Sequence, residues 1–441
     1  MTPRVFMVVL LVVYCAKQVL TAVIFPPFTG HDEVAHWQSI RVLATEGRLP
    51  TLHDDTLPPE LYEFRRYALQ WEQLGQHSTF LYTAVHPPLY YAVMAPIFLL
   101  TRDRPPIAQQ YLLRCVAIPF GLITVVLAYR LTKTIFPDNS FLAATVPTVV
   151  AFQPQISYEA AMINNDILAI CLYSWILYLL VRAVHAGVSY RRAALIGFAF
   201  GLALLTKISS ATALPLILAG FWWARGRDGW PQEMAKLTTA GAVALALVAP
   251  WLVFMYATYG DFTGLRALSA LQHDAGLTSQ ARFVDLLFSA DFAVARWKET
   301  WGEFGWRLIP ISQWLLSLLA CVAAMAGAGL VVQALAAAHT PRTTADTHTE
   351  TGEGKALAIL AAACVLAYLS VVQFGTQFVL TQARYMFPAA IGAALLGMLG
   401  LQAWIPPRCR VVAQGTIVLA ALALNIAILT AHVIPYWYFP P

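Results

Sequence analysis

The sequence predicts an all-α polytopic membrane protein with about eleven transmembrane helices. Two observations carry most of that reading. Of 441 residues, 59% are hydrophobic and only 12% charged, and the mean hydropathy is +0.63. A soluble domain averages roughly 45–50% apolar and about 25% charged residues. Apolar stretches close to the roughly 20 residues that cross a bilayer also recur along the whole chain. This pattern excludes a soluble enzyme, a disordered chain and a nucleic-acid binder. The net charge of +5, from 28 basic and 23 acidic residues, is too small to call for a polyanionic partner. Six cysteines stand singly, with no CxxC pair or metal spacing, and read as small buried hydrophobes.

The first apolar run covers 5–25. Lys17 interrupts it and no convincing small-residue cleavage site precedes Pro26, so it reads as an uncleaved span. Further spans fall at 111–131, 141–157, 166–185, 236–257, 313–335, 356–374, 385–404 and 411–432. The stretch 193–224 accommodates two short helices broken around Thr206-Lys207. His86 to Leu100 is apolar but short, and Pro87, Pro88 and Pro96 interrupt it. Charge decides its place. Arg130/Lys133, Arg182/Arg191/Arg192, Arg225/Arg227, Arg342/Lys355 and Arg408/Arg410 share a side with Arg4 only if 86–100 does not cross. A juxtamembrane helix on the outer surface is therefore expected there, with the N-terminus inside and the C-terminus outside. The chain 1–441 then reads as a single transmembrane domain. It carries outer loops at 26–110 and 258–312, a short outer segment at Gly375–Arg384, and a flexible, threonine-rich inner loop at 336–355. Tyr436-Trp437-Tyr438 suits an aromatic anchor at the outer interface.

Polar residues concentrate at the outer mouth, in short groups. Gly30-His31-Asp32-Glu33-Val34-Ala35-His36-Trp37 follows the first span, and Asp32 and His36, four apart, share a helix face. The plain structural reading is that Asp32 and Glu33 favour the positive end of that helix. HDExxH is not the HExxH zinc signature, since Glu33 lies two residues after His31. His86-Pro87-Pro88-Leu89-Tyr90-Tyr91 reads equally as a rigid entry into an interfacial helix. Ser157-Tyr158-Glu159 through Asn164-Asn165-Asp166 marks a site or only caps a helix through Asn165 or Asp166, because two carboxylates and two amides are costly at the membrane unless paired or hydrated. Lys207, at the break between two apolar half-helices, needs an anion, a water-filled cavity or a snorkelling route. Trp301-Gly302-Glu303-Phe304-Gly305-Trp306 offers aromatic faces for sugar rings or headgroups. Arg384-Tyr385, at the mouth of the tenth span, suits a phosphate or a surface anchor.

Together and in order, GHDEVAHW, HPPLYY, NNDILA, GLALLTK, the AP-W of 249–251 and ARYMFP resemble the GT-C superfamily of integral-membrane glycosyltransferases. The likeness extends over about 30–400 and lies nearest the bacterial protein-mannosyltransferase and aminoarabinose-transferase families. It implies a GT-C-like fold in a bacterial cytoplasmic (inner) membrane. It also implies a polyprenyl-phosphate sugar donor and a glycan, lipid or protein acceptor among membrane lipids. The resemblance places catalysis on Asp32 and Asp166 and donor-phosphate binding on Lys207 and Arg384. Glu33, His36, His86, Tyr90, Asn165, Tyr385, Trp301 and Trp306 are expected to support the site or bind substrate. No cofactor is demanded; a divalent metal ion on Asp32, Asp166 and His36 is an open alternative. The expected chemistry is inverting transfer to a hydroxyl, with a carboxylate as base and the two cations on the leaving phosphate. The competing readings are a flippase or transporter of lipid-linked sugars, and a polymerase or ligase that uses a lipid-pyrophosphate donor.

Overall fold

The computed structural model describes residues 2–67, 80–224, 229–274, 276–339 and 347–439, which are mostly helical. Eight of the described helices are long and apolar enough to cross a membrane. They are Pro3–Ile24, Pro106–Ile135, Asp166–Ala186, Trp230–Tyr259, Gln313–Ala336, Gly352–Gly375, Ala383–Gln402 and Pro407–Tyr438. The other segments read as crossings form shorter helices, Ser140–Phe152, Tyr190–Leu204 and Ala213–Ala224. Each alone covers roughly 18–22 Å at about 1.5 Å per residue, against a hydrocarbon core of about 30 Å. Short helical pieces, Pro154–Glu159 and Ile208–Thr212, extend two of them.

The first helix shows how a membrane span sorts its faces. Thr2 caps it, accepting a hydrogen bond from the Val5 N–H, and Pro3 supplies a first residue that needs no donor partner. Val8, Val12, Val19 and Val23 face outward, while Tyr14, Lys17, Gln18 and Thr21 turn inward. Gln18 Nε2 reaches the Ser157 carbonyl at 2.9 Å. Lys17 lies beside Asn425 in a small cavity and does not reach the surface. The helix ends at Phe25, whose extended backbone precedes Pro26-Pro27.

Two glycines set a close helix contact. A β-carbon at Gly197 would run into the Ala240 carbonyl, and one at Gly201 would crowd Ala244. The GxxxG spacing lets Tyr190–Leu204 lie directly against Trp230–Tyr259, as small residues do where apolar solvent gives no hydrophobic drive. Close packing here fixes the height of the break at Thr206-Lys207, which follows one turn later.

Leu89–Leu100 is a 12-residue helix opened by Pro87-Pro88. It is about 18 Å long, short of the hydrocarbon core, and it packs on Glu33–Glu46 through Trp37 against Phe98. The loop 258–312 contains helices Leu265–Asp274, Phe283–Leu287 and Ala290–Trp301. The segment 336–355 differs from expectation where it is described. Residues 336–339 and 347–355 belong to the ends of the flanking helices, whose apolar runs carry helical backbone into the polar sequence. Residues 340–346, with Arg342, and the basic pair Arg225 and Arg227 lie outside the described residues.

Glu33 and Arg114 pin these elements together. Both are fully buried. Arg114 Nε and Nη2 grip the two carboxylate oxygens at 2.8 and 2.6 Å, and its Nη1 donates to the carbonyls of Ala22 and Phe25, each at 2.7 Å. The carboxylate also accepts the N–H groups of Gly30 and Ile163, each at 2.9 Å. Every strong polar group is satisfied, which a buried ion pair needs to offset its desolvation. The end of the first span, the Glu33–Glu46 helix, Pro106–Ile135 and the loop before Asp166 are thereby held in one register.

Candidate active site

Above this lock the chain turns sharply. Asp32 adopts a left-handed backbone with φ 58° and ψ 12°, rare for a residue other than glycine and tolerated by Asp and Asn. The turn sends Glu33 down to Arg114 and Asp32 up into a cavity. Asp32 makes no side-chain cap on the helix that follows. Its Oδ1 instead accepts the Tyr82 hydroxyl at 2.7 Å, and its Oδ2 pairs with Arg384 Nη2. The capping role that the sequence left open is thus replaced by two tertiary bonds.

Arg384 stands between two carboxylates. Its Nη1 lies 3.3 Å from Asp166 Oδ2, while Asp166 Oδ1 pairs with Lys207. Asp166 is the first residue of Asp166–Ala186, Lys207 follows the break after Tyr190–Leu204, and Arg384 opens Ala383–Gln402. Four span ends therefore supply one row of alternating charge, Asp32–Arg384–Asp166–Lys207, all of it buried or nearly so. The Lys207 ammonium lies 4.4 Å from the centroid of the Tyr385 ring, a cation–π contact. Arg384 Nε is buried and finds no acceptor among the described residues.

The cavity beside this row is lined by Asp32, His36, His86, Asn165, Lys207, Trp306, Arg384 and Tyr385, among others. The structure so brings together most of the residues the sequence singles out. Asn165 reaches the Thr206 carbonyl at 3.0 Å and ties the Asp166 helix to the Lys207 break. Trp306, itself in left-handed backbone, meets the His31 ring edge-on at 5.4 Å. Four expected residues do not line the cavity. Asp166 is outside its wall and pairs with two residues that form it, Lys207 and Arg384. Glu33 is consumed by Arg114. Tyr90 is buried against the His36 ring. Trp301 packs on Trp297 in the cluster of Phe25, Tyr158 and Phe304.

Sequence reading missed Tyr82, Arg114 and the pairing of His31 with Glu159, whose Nδ1–Oε1 distance is 2.7 Å, and gave Tyr91 no role beyond its place in HPPLYY. Tyr82 meets Asp32 50 residues away and Tyr91 meets His36 55 residues away, and a tyrosine near a membrane face reads as an interface anchor.

The divalent ion considered for Asp32, Asp166 and His36 does not fit the donor set as arranged. The Arg384 guanidinium lies between the two carboxylates, and Lys207 holds the remaining Asp166 oxygen. Among the described residues, no group of three or more His, Cys, Asp or Glu side chains is placed to hold a metal ion.

Burial alone opposes charge on Asp32, but Arg384, His36 and Tyr82 outweigh it and hold the carboxyl well below the usual range. Burial, assisted by His86, pushes His36 down to about 3. Burial and the neighbouring Lys207 charge push His86 down to about 4. Both imidazoles are uncharged at neutral pH, whereas the unfolded chain titrates near 6.5. Below that pH the unfolded chain binds protons that the folded one does not, so stability falls with pH from about 6.5 towards 4. Asp32 acts in the same sense but lower, its contribution being full above about 3.9 and lost below. The melting temperature should therefore fall between pH 6.5 and 4, and less steeply in a His36→Gln/His86→Gln double variant. Equal slopes would exclude the two imidazoles as the cause.

A family described as dolichyl-phosphate-mannose-protein mannosyltransferase matches residues 85–254, less than half of the chain. None of the curated proteins matches the sequence. Among solved structures, the Archaeoglobus fulgidus oligosaccharyltransferase in its apo form is similar at TM-score 0.57 and 13% identity. The match covers 97% of this chain and 56% of that one. AglB from the same organism, in complex with an inhibitory peptide and a dolichol-phosphate, gives 0.52 and 13%, over 96% and 55%. ArnT from Cupriavidus metallidurans bound to undecaprenyl phosphate gives 0.52 and 14%, over 97% and 73%. The chain thus spans a little over half the length of the oligosaccharyltransferases. The chain has the fold of these membrane proteins, the GT-C fold.

Proposed function

We propose that this multi-pass membrane protein transfers a sugar from a polyprenyl-phosphate donor to an acceptor hydroxyl, with inversion, on the outer face of a bacterial cytoplasmic membrane. One observation carries the reading: the row Asp32–Arg384–Asp166–Lys207 beside a cavity at the span ends, with Arg384 Nε left without an acceptor. Two carboxylates balance two cations there. An arriving phosphodiester adds one negative charge, so it competes with Asp32 and Asp166 for Arg384 and Lys207.

The competition has a chemical use. With Arg384 turned to phosphate, Asp32 loses the cation that suppresses its basicity and can take the acceptor's proton during attack on the anomeric carbon. Tyr82 keeps the carboxylate aimed. Lys207 and Arg384 stabilise the charge that develops on the leaving phosphate, in a site with little water to screen it. Asp166 holds both cations in register. The donor's lipid tail lies between spans in this reading, and the sugar faces the outer loops. Orientation rests on the basic connections, with the N-terminus inside and the C-terminus outside.

Lys207→Ala and Arg384→Ala should each weaken binding of undecaprenyl phosphate. Removing one member of a desolvated, hydrogen-bonded charge pair costs about 2–5 kcal/mol, or roughly 30-fold and more in affinity. Unchanged affinity in both variants would return Lys207 to a snorkelling residue and Arg384 to an anchor. Movement of lipid-linked sugar between leaflets of a reconstituted vesicle, without any transferred product, would favour the flippase reading instead.

A further inference from the structure

Two imidazoles in the cavity are joined by one phenol. Tyr91 Oη lies 3.0 Å from His36 Nδ1 and 3.3 Å from His86 Nδ1, and the two imidazole centroids are 5.7 Å apart. His36 sits one helical turn after Asp32, its N–H on the Asp32 carbonyl at 2.8 Å. His86 lines the same cavity, and of the charges around it Lys207 acts most strongly, ahead of Asp32. The Ser39 and Thr83 hydroxyls lie beside Tyr91 as well. A phenol has one proton, so when Tyr91 gives it to one ring it can only accept from the other, and in that arrangement the two neutral rings are opposite tautomers. One has its proton on Nε2 and the other has a bare Nε2. Shifting two protons along the chain, with one taken up at the bare Nε2 and one released from the other Nε2, exchanges them.

We propose that His36, Tyr91 and His86 form a proton relay from the Asp32 end of the cavity to the leaving phosphate at the Lys207 end. It rests on the transferase reading above. In that reaction a bond forms between the acceptor oxygen and the anomeric carbon. The bond from that carbon to the phosphate oxygen breaks, its electron pair staying on the oxygen. The acceptor's proton goes to Asp32, which must lose it before the next turnover. The departing lipid phosphate meanwhile gains a second negative charge. The relay joins the two needs. His36 takes the proton at Nε2 and passes one through Tyr91 to His86, whose Nε2–H protonates the phosphate.

The surroundings suit transit rather than storage. Asp32 and Tyr82 line the cavity beside the relay with Lys207 and Arg384, the Asp166 charge also acts on both rings, and Tyr90 packs against His36. Both rings are held uncharged by burial and by the nearby cations, so a proton does not rest on either. A bound phosphate would offset Lys207 and Arg384 and raise the proton affinity of His86 when the proton is needed there.

Tyr91→Phe keeps the ring and removes the bridge. Purified full-length protein would be given radiolabelled undecaprenyl-phosphate sugars and a membrane extract as acceptor source, with first and later turnovers read separately. Steady-state turnover should fall at least about tenfold, a modest share of a general acid–base contribution, while the first turnover and undecaprenyl phosphate affinity are kept. The solvent deuterium isotope effect on steady-state turnover should change with it. A purely structural role for Tyr91 would slow both phases alike. If Tyr91→Phe does not fold, His86→Gln should lower steady-state turnover and change its solvent deuterium isotope effect; both unchanged would overturn the relay. Wild-type protein that releases no sugar overturns the transferase reading and the relay with it. Wild-type turnover, with both rates and the isotope effect unchanged in the variant, overturns the relay alone.

Discussion

Asp32→Asn is expected to give a folded protein that binds lipid donor and transfers sugar at least about 100-fold more slowly, the low end for loss of a general base. Asparagine keeps the side-chain size and tolerates the left-handed backbone at φ 58°, so the turn that separates Asp32 from Glu33 survives. Its amide oxygen still accepts from Tyr82. What disappears is the charge facing Arg384 and the capacity to take a proton. Donor affinity should be no weaker than in the wild type, because the phosphate no longer competes with Asp32 for Arg384. Single-turnover transfer and undecaprenyl phosphate binding, measured on the same preparation, separate these effects. Near wild-type transfer in a well-folded variant would remove Asp32 from the chemistry.

The largest stability effect belongs to Arg114→Ala. It leaves the Glu33 carboxylate buried, with two backbone donors but no counter-charge. Removing one partner of a buried pair costs about 3–5 kcal/mol, a large part of the roughly 5–15 kcal/mol that holds a typical protein folded. The carbonyls of Ala22 and Phe25 lose the Arg114 donor as well, while that of Pro26 keeps the Thr29 hydroxyl. Glu33→Gln should be milder, since an amide oxygen can still receive the Gly30 and Ile163 N–H groups. Melting temperature in detergent should drop steeply for Arg114→Ala and moderately for Glu33→Gln. If both melt like the wild type while Glu33→Gln alone loses transfer, Glu33 would return to the substrate side of the turn.

The adjacent pair Asp32-Glu33 shows where sequence reading stops. Both acids start the same helix after the same span, and composition assigns them one electrostatic role. One left-handed residue sends them to opposite fates, a cavity wall and a structural lock. Trp301 and Trp306 divide in the same way. They sit five apart in one glycine-punctuated aromatic run, yet Trp301 packs on Trp297 while Trp306 lines the cavity.

The sequence by itself determines the class of molecule and the principal charged candidates. A membrane span is apolar residue by residue, so it declares itself locally, and a charge at the membrane face is conspicuous because leaving it unpaired is costly. Asp32, Asp166, Lys207 and Arg384 are legible for that reason, as are the short apolar helix at 89–100 and the break at Lys207. The tertiary structure decides which charges meet. Arg384 pairs with a carboxylate 352 positions earlier in the chain, and Tyr82, Tyr91 and Arg114 acquire their meaning only from partners on other elements. Such pairings depend on how span ends are brought to one height by close helix packing and by the Glu33–Arg114 lock, and periodicity within a single helix contains no term for that.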